Sequence, residues 1–426
     1  MIEHDWVAKR LFHECRAMAE QAKVASKAMR IVKGQAKNTW LKRAAEALNH
    51  RAAEILDANS IDIEEAPGRG LNAAAIDRLS LDLGRIDKIA ASLAEVAALP
   101  DPIGEAVTSS KRPNGLDVTQ VRVPLGVVFM IYESRPNVTV DAAALCIKSG
   151  NAAILRGGKE ALHSNTALYR ILASELEPSG LPQAAVQLVQ TVDRHAVGHL
   201  LGMADCIDLA IPRGGESLIR RVVQDATMPV LKHYQGNCHL YLHADADAET
   251  SVRIAVNSKV QRPGVCNALE TLLIHRDAAP TLLPIVANAL SALKVELRGD
   301  DRAREIVASM TPAEPADWDT EFLDLILAVK VVESLDDAIA HIGRHSSGHT
   351  EAIITNDLNA ARRFVAEVDS SAVMVNASTR FNDGNALGLG AEIGISTDKY
   401  HARGPCGLRE LTTTKWVVYG DGQVRD

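Results

Sequence analysis

The sequence predicts an α/β protein with two parallel-sheet domains and a small β-arm. Short apolar runs typical of buried strands alternate with helical patterns, and a polar two-stranded ribbon precedes this alternation. Strands and helices that alternate at this spacing form parallel sheets with right-handed crossovers. We expect residues 1–104 and 124–232 to form one domain, residues 233–390 a second, and residues 105–123 with 408–420 the arm.

The individual elements follow from apolar spacing. Residues up to about 100 are predicted to be helical, most clearly residues 36–56. The ribbon is a predicted hairpin around Asn114-Gly115, a pair typical of tight hairpin turns. We expect it to pair with the C-terminal strand, residues 411–419, of a neighbouring subunit, because isolated hairpins are marginal in water. The predicted strands of the first sheet are 127–132, 152–155, 186–189 and 207–211, and those of the second are 239–242, a strand ending at 274, 325–332, 351–354 and 372–375.

Composition excludes several classes of protein. The chain has 426 residues, of which 47% are apolar and 23% charged, as in a globular protein. A net charge of -8 without a basic block argues against nucleic-acid binding. No apolar run is long enough to cross a membrane, and the N-terminus lacks the basic and apolar regions of a signal peptide, so we expect a cytoplasmic location.

No metal site is predicted. The six cysteines lie far apart, which argues against a zinc ribbon or a disulfide framework. His341, His345 and His349 are four residues apart, but Ser346-Ser347-Gly348 is expected to end their helix before His349.

Cys266 is the candidate nucleophile. A helical pattern from Asp247 to about 260 precedes it, and a β-prone apolar run follows, so the thiol is predicted to lie on a loop. Arg262 and Lys259 would favour the thiolate, and Gly264 would let the loop turn sharply.

Two glycine pairs that follow predicted strands are candidate nucleotide-binding turns. One is Arg156-Gly157-Gly158-Lys159 and the other is Arg213-Gly214-Gly215, which opens onto a helix N-terminus, where phosphate groups bind. The two cations of the first turn, with no acid at the end of its strand to hold a ribose hydroxyl, favour NADP over NAD.

Asn137 has two alternative roles. Its position at the start of a helix is typical of an N-cap residue. Its amide would equally serve as a donor to an oxyanion formed on a substrate at Cys266. The residues alone do not decide between these roles.

These motifs resemble the aldehyde dehydrogenase superfamily, and in particular its branch that reduces an amino-acid acyl phosphate in proline biosynthesis. The resemblance is strongest over residues 133–165, 234–270 and 376–415. It implies an NADP-binding domain, a catalytic domain and a β-arm that joins subunits.

The resemblance also implies residue roles. Cys266 matches the nucleophile, Asn137 the oxyanion donor and Glu321 the glutamate that holds the nicotinamide ribose. Arg380 or Arg403 would bind the anionic groups of the substrate. Three motifs depart from the superfamily: the two glycine turns stand where relatives carry Lys-Pro-Ser-Glu and Gly-Ser-Thr, and His233-Tyr-Gln-Gly replaces the Glu-Leu-Gly-Gly of hydrolytic relatives.

The implied reaction is the reduction of L-glutamyl 5-phosphate by NADPH to L-glutamate 5-semialdehyde and phosphate, through a thioester at Cys266. The implied partners are the substrate, further copies of the chain in a dimer or dimer of dimers, and the glutamate kinase that supplies the labile acyl phosphate. Three alternatives remain: a hydrolytic aldehyde dehydrogenase, a cofactor-free cysteine hydrolase or acyltransferase, and a non-catalytic scaffold.

Overall fold

The computed structural model describes residues 2–425, and for residues 2–8, 73 and 74 it describes the helical backbone alone. The described chain divides into two compact units. The first comprises the chain up to Lys232, Leu389–Gly394 and the segment from Cys406 onward, and the second comprises His233–Gly388 and Ile395–Pro405.

The helices are α1 Ile2–Met29, α2 Gly34–His50, α3 Ala52–Glu65, α4 Ala73–Leu79, α5 Leu83–Ala98, α6 Asn137–Lys148, α7 Leu162–Ser174, α8 His195–Leu201, α9 Glu216–Asp225, α10 Ala248–Val260, α11 Ala279–Ala292, α12 Asp301–Ile306, α13 Leu335–His345 and α14 Leu358–Glu367. Among the described residues, no helix combines the length and apolar character needed to cross a bilayer.

The strands are β1 Ala106–Lys111, β2 Asp117–Pro124, β3 Val127–Tyr132, β4 Ala152–Arg156, β5 Val186–Leu188, β6 Leu209–Arg213, β7 Cys238–Leu242, β8 Leu269–His275, β9 Glu296–Gly299, β10 Thr311–Pro312, β11 Ile326–Val332, β12 Thr350–Ile354, β13 Ala372–Val375, β14 Gly394–Ser396, β15 Gly404–Cys406 and β16 Thr412–Tyr419.

The first unit is built around a parallel sheet of four strands in the order β5-β4-β3-β6. All six residues of the central strand β3 are buried, as expected for a parallel strand with both faces covered. Helix α1 contributes Cys15, Ala19 and Ala22 to the core on one face. The predicted α/β class and the first-sheet strands are confirmed within two residues at each end.

The second unit contains a seven-stranded parallel sheet in the order β10-β9-β11-β8-β7-β12-β13. Its central strands β8 and β7 are almost entirely buried. The five predicted strands are confirmed. The sequence did not predict β9 and β10 at the sheet edge, because these strands have only four and two residues.

Two local predictions were wrong. The helix predicted over residues 36–56 is two helices, α2 and α3, separated at Arg51, whose φ and ψ of -105° and 23° are not helical. Buried Leu48 and Ile55 lie on either side of the break, so the apolar periodicity continues across it. In addition, Gly264 has no positive φ and is not where the Cys266 loop needs a glycine.

The arm is a three-stranded antiparallel sheet in the order β1-β2-β16. The Asn114-Gly115 hairpin is confirmed, with Gly115 at a φ of 93°. However, we expected the ribbon to pair with the C-terminal strand of a neighbouring subunit, and this was wrong. Strand β16 pairs with β2 of the same chain along its whole length, from Thr412 opposite Pro124 to Tyr419 opposite Asp117.

Candidate active site

Cys266 lies on the loop between α10 and β8, as predicted, and is partly exposed. Asp247 begins α10 by accepting a hydrogen bond from the Thr250 N–H at 2.8 Å. The loop backbone passes so close to Gly236 that a Cβ at that position would overlap the carbonyl oxygen of Cys266. Gly236, rather than Gly264, is therefore the glycine that allows the loop to take this path.

Two imidazole rings lie beside the Cys266 thiol. The ligand atoms of His233, Cys266 and His349 all lie within 4.8 Å of one another, and the two ring centroids are 5.4 Å apart. His233 Nδ1 lies 3.0 Å from the Ile395 carbonyl oxygen, and His349 Nδ1 lies 2.8 Å from Thr350 Oγ1. His233 stands where hydrolytic relatives carry a glutamate, whereas no sequence pattern placed His349 near the thiol.

Cys238 is a buried structural residue at the start of β7. Its Sγ donates a hydrogen bond to the Cys266 carbonyl oxygen at 3.2 Å. Burial, reinforced by the charge of Glu351, raises the pKa of the Cys238 thiol well above its usual value. Cys238 is therefore protonated at neutral pH and supports the loop that carries Cys266.

Lys259 and Glu270 form an ion pair of 2.6 Å, and both side chains are fully buried. Lys259 is therefore neutralised by Glu270, which differs from the sequence prediction that it favours the thiolate. Glu270 Oε1 also accepts a hydrogen bond from the Leu323 N–H at 3.3 Å. This contact fixes the segment that carries Glu321, the predicted ligand of the nicotinamide ribose.

The two candidate substrate-binding arginines have different surroundings. Burial and the charge of Arg262 lower the pKa of Arg380, whereas Asp383 and the sulfurs of Cys266 and Cys238 raise it. The Arg380 guanidinium thus lies within electrostatic range of the nucleophile, held by a 2.8 Å hydrogen bond from Nε to Gln261 Oε1.

Arg403 is committed to a different partner. Its Nη1 and Nη2 donate to Asp369 Oδ1 and to the Asp369 carbonyl oxygen, at 2.8 and 2.9 Å. Lys399 also pairs with Asp369. Arg380 is therefore the stronger candidate for binding an anionic substrate group.

Asn137 is not an N-cap. It is the first residue of α6, and Pro136 precedes it as the capping residue without a side-chain hydrogen bond. Asn137 Nδ2 instead donates to Asp141 Oδ2 at 2.9 Å, and Ser92 Oγ lies 3.3 Å from the other Asp141 oxygen. Burial raises the pKa of Asp141, and this hydrogen bond from Asn137 opposes the rise. The capping alternative was wrong, and the Asn137 amide has a fixed orientation.

The first unit contains a cavity of about 360 Å³ at the carboxyl ends of β3 and β4. Among the predicted residues, Arg156, Gly158 and Lys159 line this cavity. Ligands of open α/β sheets bind at this edge. A Cβ on Gly157 would overlap the buried amide of Asn165, so the first turn requires a glycine there.

Four further charged residues line this cavity: Glu133, Glu160, Arg194 and Arg221. Burial lowers the pKa of Arg156, and so does the charge of Arg194, whereas Glu160 raises it. The Glu160 carboxylate accepts hydrogen bonds from Ser134 N and Oγ at 2.6 and 2.8 Å. No acid stands at the end of β4 itself, but Glu160, four residues after Arg156, brings a carboxylate to the same cavity.

The second glycine turn already binds a carboxylate. Gly214 and Gly215 precede α9, and the Gly215 N–H donates to Glu133 Oε2 at 2.9 Å. Arg213 ends β6, and its guanidinium lies against Gly394. The N-terminus of α9 thus binds an anionic group, as predicted for such a turn, but the group in this structure is a side chain.

Comparison with known proteins gives a consistent result. A family model described as the aldehyde dehydrogenase family matches residues 7–314. The γ-glutamyl phosphate reductase of Anaeromyxobacter sp. (strain K) is 57% identical over 97% of each chain, and that of Geotalea daltonii is 55% identical over 96% of this chain and 98% of the relative. The crystal structure of γ-glutamyl phosphate reductase from Thermotoga maritima superposes with a TM-score of 0.95 at 46% identity, covering 97% of this chain and all of the other.

Proposed function

The chain belongs to the aldehyde dehydrogenase family, and within it to the γ-glutamyl phosphate reductases; on that premise we propose that Cys266 captures L-glutamyl 5-phosphate as a thioester, with NADPH as the reductant of that thioester. The observation that carries the proposal is the partly exposed thiol on a loop fixed at both ends, within electrostatic range of Arg380. The products are L-glutamate 5-semialdehyde and inorganic phosphate.

The first step is nucleophilic substitution at the acyl carbon. The Cys266 thiolate attacks the carbonyl carbon of the acyl phosphate, and the C–O bond to the phosphoryl group breaks as phosphate leaves. Covalent capture divides one difficult reaction into two easier ones. The positive charge of Arg380 attracts an anionic group of the substrate.

The second step reduces the thioester. NADPH, when bound, supplies the hydride for this step. The resulting tetrahedral oxyanion collapses and the C–S bond breaks. The aldehyde is released, and Cys266 is regenerated as a thiolate. Asn137 is the proposed donor to the oxyanion, and the hydrogen bond to Asp141 holds its amide in one orientation, so the donor is fixed before reaction. Loss of such a donor typically costs about 3 kcal/mol.

The cofactor-binding residues remain as predicted from the sequence: Arg156, Gly157, Gly158, Lys159, Arg213, Gly214, Gly215 and Glu321. The cavity at the first turn fits a phosphorylated ribose, because it presents Arg156, Lys159 and Arg194 as cations. These cations favour NADP over NAD. Glu160 is the acid available there for a ribose hydroxyl.

Hydrolysis is the alternative fate of a thioester in this family. Hydrolytic relatives use a glutamate to activate water, whereas this chain has His233, whose Nδ1 contacts the Ile395 carbonyl oxygen. Phosphate is already anionic and needs no base to attack. A phosphorylating enzyme therefore fits the observed residues better than a hydrolytic one.

The assembly and location of the protein are also part of this proposal. The arm exposes four large apolar side chains, Val107, Trp416, Val418 and Tyr419. Trp416 and Val418 lie two residues apart on β16 and therefore share one face of the arm. Exposed apolar patches mark interaction sites, so we expect the arm to join copies of the chain in a dimer or dimer of dimers in the cytoplasm, where glutamate kinase supplies the substrate.

The decisive experiment runs the reaction in reverse. L-glutamate 5-semialdehyde, NADP and phosphate should give NADPH, measured by its near-ultraviolet absorbance, at a rate that depends on all three. Production of NADPH at the full rate without phosphate would instead support the hydrolytic alternative.

A further inference from the structure

We propose that His233, Cys266 and His349 form a site for Zn²⁺ that blocks the nucleophile reversibly. In the part of the chain that the structure describes, this is the one group of three or more histidine, cysteine or acidic side chains whose ligand atoms lie close enough to hold a metal ion. Their ligand atoms lie within 4.8 Å of one another. Ligands of a tetrahedral zinc ion lie about 3.5 Å apart, so small side-chain rotations complete the site.

The hydrogen bond of His233 provides a second, independent observation. Its Nδ1 lies 3.0 Å from the Ile395 carbonyl oxygen, which can only accept. Nδ1 therefore carries the proton, and Nε2 keeps the lone pair that binds a metal. Histidine ligands of metals characteristically donate their other N–H to a carbonyl or carboxylate in this way.

The types of ligand select the metal. One thiolate and two neutral imidazoles suit a borderline-soft ion such as Zn²⁺ and are poor ligands for Mg²⁺ or Ca²⁺. Three protein ligands leave the fourth position of the tetrahedron for water or an anion. Binding replaces the thiol proton with the metal, so each binding event releases one proton.

A nearby cation limits this affinity. Arg380 carries a positive charge within electrostatic range of Cys266 and repels a dication. No described carboxylate belongs to the group. We therefore expect a site that binds and releases Zn²⁺ readily, as a reversible inhibitory site requires.

Inhibition follows from the chemistry of the sulfur. A thiolate that shares its lone pair with Zn²⁺ is a weak nucleophile and cannot attack the acyl phosphate. This consequence depends on the proposed role of Cys266, whereas metal binding itself does not, and the two are measured separately.

Metal binding is tested first, without substrate. Co²⁺ titrated into the wild-type protein should give a one-to-one complex with an intense thiolate-to-cobalt charge-transfer band, and Zn²⁺ should displace it. Cys266→Ser should remove the band, and His233→Asn or His349→Asn should weaken binding at least about tenfold. His275→Asn, at the far end of β8 from Cys266, is the control and should leave binding unchanged, with circular dichroism used to confirm the fold of each variant.

Inhibition is tested second. Zn²⁺ should stop turnover of the wild type, EDTA should restore it, and His233→Asn should need at least about ten times more Zn²⁺ for the same inhibition. Equal Zn²⁺ sensitivity of the wild type and both histidine variants would overturn the proposal, since the metal would then bind the thiol alone. An unchanged charge-transfer band in Cys266→Ser would also overturn it, whereas an active Cys266→Ser enzyme would refute the proposed function and not the metal site.

Discussion

Lys259 and Glu270 hold the two ends of the Cys266 loop together through a fully buried ion pair of 2.6 Å. Lys259 is in the last turn of α10, and Glu270 is the second residue of β8. The pair closes the base of the loop, and Glu270 also binds the N–H of Leu323. Removing one partner of such a pair leaves a buried charge uncompensated and typically destabilises a protein by about 3–5 kcal/mol.

Glu270 should make stability depend on pH. Burial raises the pKa of Glu270 from 4.5 to about 7, and the Lys259 charge opposes the rise. Because the folded pKa exceeds the unfolded one, this carboxyl stabilises the fold fully below pH 4.5 and loses that contribution as the pH rises through about 7. A rise of this size in the pKa of Glu270 corresponds to a contribution of about 3 kcal/mol to the free energy of unfolding.

Urea unfolding at several pH values between 4.5 and 8 measures this effect. The difference in unfolding free energy between wild type and Glu270→Gln should change across this window, because glutamine does not titrate. A constant difference over the whole window would show that Glu270 does not titrate there.

Cys266→Ala should reduce turnover by at least about a thousandfold, because no other described thiol is both exposed and on this loop. NADPH binding, measured by fluorescence, should be unchanged. The matched control is Cys238→Ala, in which a buried, protonated thiol is lost; some stability should be lost while turnover persists. The reverse result would place the nucleophile at Cys238.

Replacement of Arg156 and Lys159 by Ala should weaken NADPH binding by about 10–100-fold and NADH binding far less, since charge-assisted hydrogen bonds are worth about 1.5–3 kcal/mol each. Dissociation constants for the two cofactors give the comparison. Lys159→Ala alone provides the control, because Lys159 is exposed whereas Arg156 is buried and also supports the fold. A wild type with equal affinity for both cofactors would refute the NADP assignment.

His233→Glu should raise the turnover of L-glutamate 5-semialdehyde in the absence of phosphate, because it restores the carboxylate that hydrolytic relatives use to activate water. The wild type should nearly stop without phosphate and should accept arsenate in its place. His233→Gln is the control, since it has a similar shape without a base. Rapid NADPH formation by the wild type in phosphate-free buffer would contradict this prediction.

Truncation at Leu411 should produce monomers or aggregates, as judged by sizing chromatography with light scattering. It removes β16, which pairs with β2 over eight residues, and leaves an isolated hairpin that is marginal in water. Trp416→Ser, on an exposed position of the same strand, tests the surface without removing the strand. An unchanged oligomer after truncation would exclude the arm as the subunit contact.

The sequence was sufficient for elements defined by local patterns. Strand β3 and the position of Cys266 between α10 and β8 were predictable because apolar runs and helical spacing are local signals. The break at Arg51 was not predictable, because α3 buries the same face as α2 and the spacing of apolar residues therefore continues across the break.

Contacts between distant parts of the chain were less accessible to prediction. His349 lies 83 residues after Cys266 in the sequence and reaches the thiol only because β12 lies beside β7 in the sheet. The pairing of Lys259 with Glu270 was not predicted for a different reason. The charge of a lysine does not indicate which nearby acid or thiol it contacts in the folded chain.

The Glu133 carboxylate accepts a hydrogen bond from the Gly215 N–H and so competes with a cofactor phosphate for this donor. Under the proposed role of the Gly214–Gly215 turn, a phosphate group arrives at a donor that is already in use. Cofactor binding then exchanges one anion for another. In the free protein, Glu133 accepts the hydrogen bond from the N-terminus of α9. Competition from Glu133 lowers the affinity for the cofactor. It also favours rapid release of NADP after each catalytic cycle, because Glu133 replaces the departing phosphate.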